Sequence, residues 1–165
     1  MSSHALAHHH HDHAVRQDHS SCVKAALARA DAICTERGVR LTAQRARVLE
    51  LVWSSHKPRG AYAILEDLSA DGKRVAPLTV YRALDFLLEQ GLIHRIESQN
   101  AFVGCPDPGT AHTGQFLVCS CCGNATELTD RGIAAAIAES AAAQGFTVQR
   151  QTVEVTGICP DCRDH

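Results

Sequence analysis

The sequence predicts an α+β protein in two parts, a winged helix-turn-helix domain followed by a smaller α+β domain. Helical spacing of apolar residues recurs in four segments between Cys22 and Gly91. Two short runs of β-type residues then flank a polar Ser-Gln-Asn turn in LIHRIESQNAFVGC, as expected of a wing hairpin. Beyond the break PDPGT, strand-like and helix-like segments alternate around two Cys-x-x-Cys pairs.

The first three helices follow from apolar spacing and from the residues that flank it. In CVKAALARADAICTERG, apolar residues recur at i, i+4, i+7 and i+11, and Gly38 supplies a stop signal. LTAQRARVLELVWSS begins with Thr42, which we expect to be the N-cap of the second helix. AYAILEDLSA has the apolar face of a third helix and is followed by Gly72. These segments predict the helical core of the first domain.

PLTVYRALDFLLEQGLI predicts the fourth helix. We expect Pro77 to precede this helix, Thr79 to cap it, and Gly91 to end it in the left-handed conformation that glycine tolerates. Its apolar stripe turns Tyr81 and Arg82 outward near the helix N-terminus. An arginine in this place can bond bidentately to guanine, and a tyrosine offers a ring and a hydroxyl. The helix therefore predicts a DNA-reading surface, and a merely solvated helix face is the alternative.

The distribution of charge agrees with a polyanionic partner for the first domain. The net charge is -2, but residues 22–97 carry twelve Lys or Arg against nine Asp or Glu, and residues 98–165 carry three against seven. A basic first half and an acidic second half suggest that the two parts face different partners. Ordinary scatter of surface charge is the alternative. The prediction of DNA binding therefore depends on the helices together with the hairpin.

The residues after the break predict a second domain with strands in QFLV and ATEL, a helix in DRGIAAAIAESAAAQG that ends at Gly145, and a long strand in FTVQRQTVEV. The Ala-rich helix packs only small side chains, so we expect this domain to gain stability from metal and from pairing with another chain. We place the winged-helix domain at 22–105, a hinge at 106–112 and the dimerisation domain at 113–165.

The N-terminal residues 1–21 hold seven of the eleven histidines and no apolar period, so we expect a disordered tail. It is either a natural metal-scavenging tail or a remnant of cloning. No apolar run approaches the roughly 18 to 20 residues that span a bilayer, and the N-terminus lacks the apolar stretch of a signal peptide. We therefore expect a cytoplasmic protein, whose eight cysteines indicate metal or redox chemistry rather than disulfides.

Two cysteine pairs predict a closed zinc site. A Cys-x-x-Cys knuckle lets two thiolates reach one tetrahedral ion, and two knuckles complete a four-cysteine site. The predicted ligands are Cys119, Cys122, Cys159 and Cys162. Cys121 is then a bystander. A site of this kind keeps no open position for substrate, so its role is structural. The alternative is a redox dithiol, which needs one pair rather than two.

A second set of potential ligands lies on both sides of the hinge: His94, Cys105, His112 and Glu127. If the hairpin turns about residues 99 and 100, positions 94 and 105 lie directly opposite, with Cβ atoms about 4.5 to 5.5 Å apart. From this distance one imidazole and one thiolate can share an ion. Taken singly, each residue has an ordinary interpretation, as a surface histidine, a linker histidine or a solvated carboxylate.

Two other classes of protein compete with a metal-dependent DNA-binding protein. A zinc hydrolase or deaminase would use a water-bearing metal and a carboxylate base. The deaminase pattern places proline before the first cysteine of its pair, whereas Pro160 lies inside this pair, and Glu127 is needed as a ligand. A zinc-ribbon interaction module without DNA contact is disfavoured by the fourth helix and its hairpin. We therefore expect no catalytic residues and no enzymatic activity.

The stretches RLTAQRARVLELV, PLTVYRALDFLLEQGLIHRIES, HTGQFLVCSCCG and CPDC resemble the ferric uptake regulator family of bacterial metal-dependent repressors, most closely its zinc-sensing branch, the zinc uptake regulators. The resemblance covers residues 22–162. It implies an N-terminal winged helix that binds DNA and a C-terminal α+β domain that forms a homodimer. It places DNA contacts at Thr79, Tyr81 and Arg82, structural zinc at the four paired cysteines, and regulatory zinc at His94, Cys105, His112 and Glu127.

The function implied by this resemblance is zinc-responsive repression. The protein would carry two or more zinc ions per protomer, bind a palindromic operator as a homodimer and repress zinc-uptake genes. Iron and peroxide sensors usually carry an HHDH-like cluster before the first knuckle, where this chain has AHTGQF. The thiolate of Cys105 also favours zinc over iron. An iron-, nickel- or peroxide-responsive regulator of the same family is the alternative.

Overall fold

The structure is a computed structural model that describes residues 19–55, 57–70, 72, 74–110 and 112–164. Its helices are α1 His19–Glu36, α2 Ala43–Trp53, α3 Ala61–Ala70, α4 Pro77–Glu89, α5 Arg131–Ala143 and α6 Pro160–Arg163. Its strands are β1 Arg59–Gly60, β2 Ile93–Ile96, β3 Ala101–Gly104, β4 Gly114–Cys119, β5 Ala125–Glu127 and β6 Thr152–Gly157. Among the described residues, no helix is long and apolar enough to cross a membrane.

The first part of the chain folds as helices α1 to α4 with a three-stranded antiparallel sheet in the order β1-β3-β2. The apolar stripes of the four helices meet in one core, in which Leu49, Ile64 and Leu87 are fully buried. The predicted hairpin is β2 and β3, and the short strand β1 joins it as a third strand. This is the architecture of a winged helix, as the sequence predicts.

The prediction for the N-terminal tail needs one correction. Residues 1–18 lie outside the described residues. Residues 19–21, which we assigned to the tail, belong to the first turn of α1, so this helix begins three residues before Cys22.

The start of α4 differs from the prediction. The helix begins at Pro77, its N-cap is Ala76 in an extended conformation, and Thr79 lies within the first turn rather than at the cap. Proline favours the first helical position because its φ is already helical and its missing N–H has no partner there, and it restricts the preceding residue to extended conformations. The predicted cap of α2 is confirmed, because Thr42 accepts a hydrogen bond from the backbone N–H of Arg45 at 3.3 Å.

The register of the hairpin also differs from the prediction. His94 pairs with Val103, not with Cys105, whose N–H donates to the carbonyl of Leu92 at 3.0 Å. The turn is longer than two residues because it contains a 3₁₀ turn, Glu97–Gln99, followed by Asn100 with a φ of 47°. The predicted register is wrong by two residues. Because this number is even, residues 94 and 105 still project from the same face, as diagonal rather than direct neighbours.

The second part of the chain is a three-stranded sheet in the order β5-β4-β6, with α5 between β5 and β6. Strand β4 pairs antiparallel with β5 and parallel with β6. The predicted strand from residue 146 begins only at Thr152, because the ladder starts where Gly114, the first residue of β4, faces Thr152. The helix prediction is confirmed, and Gly145 follows α5 with a φ of 77°.

A small apolar cluster joins the wing to the second sheet. Ile96 of the wing packs with Phe116 and Val118 of β4, and Val103 and Ala125 border them. Ile96 is completely buried by this contact. The two parts of the chain therefore meet along the wing, which places the end of β2, the hinge and the start of β4 next to one another.

Candidate metal centres and nucleic-acid surface

The first cysteine pair lies on a tight knuckle at the end of β4. The N–H of Cys119 donates to the carbonyl of Asn124 at 2.8 Å, and the N–H of Gly123 donates back to Cys119 at 3.0 Å. Gly123 has a φ of 74°, a conformation that side chains disfavour. This turn points the thiols of Cys119 and Cys122 to the same side.

The second pair lies at the start of α6, immediately after β6. The N–H of Ser120 donates to the carbonyl of Gly157 at 2.8 Å, which holds the two knuckles together. The Sγ atoms of Cys122 and Cys159 are 3.8 Å apart. Ligand atoms of the four predicted cysteines all lie within 4.8 Å of one another. Tetrahedral zinc with Zn–S bonds of about 2.3 Å separates its sulfur atoms by about 3.8 Å.

Hydrogen bonds prepare these thiols for a cation. Backbone N–H groups of Cys122 and Cys159 donate to Cys119 and lower the pKa of its thiol to about 6. A hydrogen bond with the Cys159 side chain raises the pKa of the Cys162 thiol. Thiol protons therefore lie between neighbouring sulfur atoms of this set, where a bound cation would replace them. Cys121 is exposed and lies outside the set, as predicted, and all eight cysteines are free thiols. The four sulfur ligands fit structural zinc.

The second predicted set also forms a cluster, with its ligand atoms within 4.8 Å of one another: His94, Cys105, His112 and Glu127. They come from β2, the residue after β3, the hinge and the end of β5. Nε2 of His112 lies 3.1 Å from Nε2 of His94, 3.5 Å from Sγ of Cys105 and 3.0 Å from Oε1 of Glu127. The imidazoles of His94 and His112 and the thiol of Cys105 thus face the carboxylate of Glu127 across the boundary between the two sheets.

The tautomer of His112 bears on whether this cluster fits a cation. Its Nδ1 lies 2.8 Å from the carbonyl oxygen of Thr110, which can only accept, so Nδ1 carries the proton. In the neutral ring Nε2 is then a bare lone pair, and it faces Glu127, whose side chain is 10% exposed. Both carboxylate oxygens of Glu127 lack a hydrogen-bond partner among the described residues. With this tautomer, lone pairs of His112 and Glu127 face each other beside the Cys105 thiol, an arrangement that a cation satisfies.

Burial determines the protonation of the ligands in the absence of metal. It lowers the pKa of His94 to about 4, with a contribution from His112, so this imidazole is neutral near pH 7. Burial also raises the pKa of Glu127 and raises that of the Cys105 thiol to about 12. Two nitrogen ligands, one sulfur and one carboxylate oxygen form a closed four-ligand set that fits zinc better than iron.

The hinge is held by contacts that the sequence analysis missed. Thr110 Oγ1 donates to the carboxylate of Asp107 at 2.8 Å, and this turn presents the Thr110 carbonyl to His112. Arg29 of α1 donates to the carbonyl of Pro106 at 2.7 Å. The Asp-Pro-Gly-Thr composition of the hinge signals the turn. The contact of Arg29, 77 residues away, has no signal in the sequence.

The predicted DNA-reading side chains lie on one exposed surface of the first domain. Tyr81 is 45% exposed, and Thr79 and Arg82 are also exposed on the first turns of α4. Tyr62 of α3 is 75% exposed and borders the same shallow groove as Tyr81. The sequence analysis did not select Tyr62, although the apolar face of α3 leaves it pointing outward. The surface therefore presents two tyrosines beside an arginine.

Comparison with known sequences finds a family match and relatives that are zinc uptake regulation proteins. The sequence profile of the Ferric uptake regulator family matches residues 36–156. The zinc uptake regulation protein of Escherichia coli (strain K12) is 41% identical over 138 residues, which are 82% of this chain and 80% of that protein.

Comparison with solved structures agrees. A zinc uptake regulator complexed with zinc and DNA has a TM-score of 0.82 and 38% identity, covering 86% of this chain and 95% of that one. Holo XcZur gives a TM-score of 0.78 at 44% identity, covering 88% and 99%, and apo XcZur gives 0.50 at 45% identity, covering 86% and 97%. The family profile, the relatives and the fold agree, and the chain belongs to the ferric uptake regulator family.

Proposed function

We propose that this protein is a zinc-responsive transcriptional repressor that binds palindromic operator DNA as a zinc-loaded homodimer and represses zinc-uptake genes. The observation that carries the proposal is the second ligand cluster. Two of its ligands, His94 and Cys105, belong to the wing, His112 belongs to the hinge, and Glu127 belongs to the second sheet. A ligand set divided in this way couples metal binding to the relative position of the two sheets.

The four ligands couple zinc binding to closure, because they lie on the wing, the hinge and the second sheet. When bound, zinc supplies a positive charge that four ligands can share without redox chemistry. His94 and Cys105 then hold the wing, and Glu127 holds the second sheet against it. Without a bound cation, the carboxylate of Glu127 would face the Nε2 lone pair of His112 at 3.0 Å, which disfavours the closed arrangement. By holding one zinc ion together, these ligands would shift the population toward the closed form.

The pair of XcZur structures supports this mechanism. Identity and coverage are nearly the same for the two, yet the TM-score is 0.78 for the holo form and 0.50 for the apo form. The arrangement described here is therefore close to that of a metal-loaded relative. The relative with the TM-score of 0.82 is complexed with both zinc and DNA, so this arrangement is also compatible with binding to DNA.

Dimer formation is supported by the surface of the second domain. Neither α5 nor β6 contains a buried residue. Large apolar side chains are exposed on this domain: Leu117, Ile137, Phe146, Val148, Val155 and Ile158. Apolar surface of this extent is expected to be covered by a partner, and a second copy would make a two-fold assembly. The two α4 helices would then reach half-sites about 34 to 36 Å apart.

The remaining expectations follow from the same proposal. The four-cysteine site keeps one zinc ion permanently and stabilises the dimerisation domain, so each protomer carries two or more ions.

A DNA-binding repressor with free thiols works in the cytoplasm, where reducing conditions preserve them. Both metal sites have four protein ligands, which leaves no open position for a substrate, and we expect no enzymatic activity. The nitrogen and thiolate ligands of the second site disfavour an iron or peroxide sensor.

Zinc content and DNA binding of three proteins test the proposal: wild type, Cys105→Ser and Cys121→Ser. The last is a matched control, because Cys121 is an exposed thiol outside both ligand sets. We expect wild type and the control to hold at least two zinc ions per protomer and to bind operator DNA only with zinc. Cys105→Ser should remain a folded dimer, lose one ion and lose zinc-dependent binding. Equal zinc content and equal DNA binding in all three proteins would overturn the proposal.

A further inference from the structure

The tip of the wing is held by a carboxylate of the second sheet. The backbone N–H of Glu97 donates to Oε1 of Glu154 at 2.6 Å, and the N–H of Ser98 donates to Oε2 at 3.1 Å. These amides lie at the start of the 3₁₀ turn Glu97–Gln99, where helical N–H groups have no internal partner. A carboxylate that receives two backbone N–H groups forms a strong, charge-assisted contact. Although burial opposes it, a hydrogen bond from the Ser98 side chain and these two N–H groups keep the pKa of Glu154 below its ordinary value.

Two further side chains join the wing tip to the second domain. The amide of Gln99 donates to the carbonyl of Gly123, in the first cysteine knuckle, at 3.1 Å. Arg150 lies 3.4 Å from the carboxylate of Glu97, but its side chain is largely exposed and this ion pair is weak. The wing tip is therefore attached both to β6 and to the knuckle of the four-cysteine site.

The attachment through Glu154 is separate from the second ligand cluster. Glu127 and Glu154 lie on the two outer strands of the sheet, each paired in register with Phe116. Strand spacing separates two such positions by about 10 Å. On the wing their partners His94 and Glu97 are three residues apart, which is also about 10 Å along a strand. The two carboxylates thus contact the wing at two separate places on the same face of the sheet, on either side of Phe116.

We propose that Glu154 is a positioning residue, a latch that holds the wing tip on the dimerisation sheet and thereby favours the closed arrangement in which the second ligand cluster forms. The inference depends on the proposed function, because closure matters only if zinc controls it. Glu154 adds a charge-assisted contact to the Ile96 apolar cluster and to the Gln99 hydrogen bond, and together these contacts fix the orientation of the wing. The latch needs no metal, and it sets how much free energy zinc must supply to complete closure.

This role predicts an effect at a distance on zinc affinity. If the latch and the metal both favour closure, each must strengthen the other by the same factor. Removal of the latch should therefore weaken zinc binding at the second cluster by that factor. We expect Glu154→Ala, which removes both acceptor oxygens, to weaken zinc binding about tenfold, the scale of a charge-assisted hydrogen bond. Glu154→Gln keeps one acceptor oxygen and should have a smaller effect. A purely structural role would lower the melting temperature and leave zinc affinity unchanged.

The experiment is a zinc titration of the full-length dimer with its four-cysteine site loaded, in competition with a chromogenic chelator and without DNA. Glu139→Gln is the matched control, since Glu139 is an exposed carboxylate of the same domain, on α5. Weaker zinc binding in Glu154→Ala, with the control equal to wild type, is the expected result. Equal zinc affinity in Glu154→Ala and wild type, or an equal loss in the control, would overturn the latch. If Glu154→Ala does not fold, Glu154→Gln decides by the same criterion.

A second measurement separates this inference from the proposed function. Operator binding is titrated at saturating zinc for wild type and for the Glu154 variants. If wild type shows no zinc-dependent binding, the proposed function fails, whereas the chelator titration still decides whether the latch and the zinc site are coupled. If wild type binds and both Glu154 variants match it in zinc and DNA affinity, only the latch fails.

Discussion

Glu127 and Glu154 flank Phe116 on the same face of the second sheet, and both carboxylates reach the wing. Glu154 is satisfied there by two backbone N–H groups, at 2.6 and 3.1 Å. Glu127 meets Nε2 of His94 at 3.3 Å and Nε2 of His112 at 3.0 Å, but it receives no hydrogen bond within the described part of the chain. One carboxylate is thus held by backbone donors, whereas the other faces two ring nitrogens that a bound cation would bridge.

The first prediction concerns the sign of the Glu127→Gln effect on stability. Without zinc, the glutamine should stabilise the protein by about 1 kcal/mol, because its amide can donate to Nε2 of His112, where the carboxylate leaves acceptors facing each other. With zinc, the variant should lose the additional stability that wild type gains. Thermal unfolding with and without a chelator measures both effects, and Glu139→Gln is the control. A zinc-free variant that is less stable than wild type would contradict this account of the cluster.

The second prediction concerns pH. The Cys105 thiol has a pKa of about 12, so it is protonated near pH 7 and must lose its proton to bind zinc. His94 has a pKa of about 4, so it is already neutral and loses none. Zinc affinity should therefore rise with pH, by about tenfold per unit between pH 6 and 8 for one released proton. Calorimetry of zinc binding in buffers with different ionisation enthalpies counts the protons.

Cys105→Asp provides the comparison for this pH effect. An aspartate at this position has a low intrinsic pKa, so its zinc affinity should depend less on pH, even if it is weaker overall. Wild-type affinity that stays constant between pH 6 and 8 would show that Cys105 is not a thiolate ligand.

The sequence predicts both ligand sets because each depends on residue type and spacing, but it predicts the wing geometry only in part. The four-cysteine site follows from two short knuckles whose internal geometry is local. The hairpin register does not, since it depends on the 3₁₀ turn at Glu97 and on the left-handed Asn100. Glu154 has no signal at all, because its partners are backbone N–H groups 56 and 57 residues away. Backbone donors look alike in every sequence, so a contact of this kind becomes visible only in the structure.

The third prediction assigns a structural role to the four-cysteine site. Cys159→Ser should unfold or destabilise the second domain, because it removes one of the four thiol ligands, although the N–H of residue 159 that donates to Cys119 at 3.4 Å remains. The loss should appear as a lower melting temperature and as monomers in sedimentation. Cys121→Ser should behave as wild type in both measurements, since that thiol is outside the set. A stable Cys159→Ser dimer with one ion fewer would show that this zinc does not maintain the domain.

The fourth prediction concerns how Arg82 reads DNA. Arg82→Ala should weaken binding to operator DNA, selected from random duplexes by the zinc-loaded wild type, by about 1–3 kcal/mol. Arg82→Lys keeps the charge but cannot bond bidentately to guanine, so it should retain the salt dependence of wild type and lose specificity. Titrations on operator and scrambled DNA at several salt concentrations separate the two effects, with Arg131→Ala on α5 as the control.

The comparison of operator with scrambled DNA decides between base and phosphate contact. An Arg82→Ala variant that loses the same affinity for both would place the guanidinium on a phosphate, because phosphate contacts carry no direct sequence information. A variant equal to wild type on both would remove α4 from the DNA interface. Loss on operator DNA alone would place the Arg82 guanidinium on base edges, and the exposed face of α4 would then lie in the major groove, where the base edges distinguish all four base pairs.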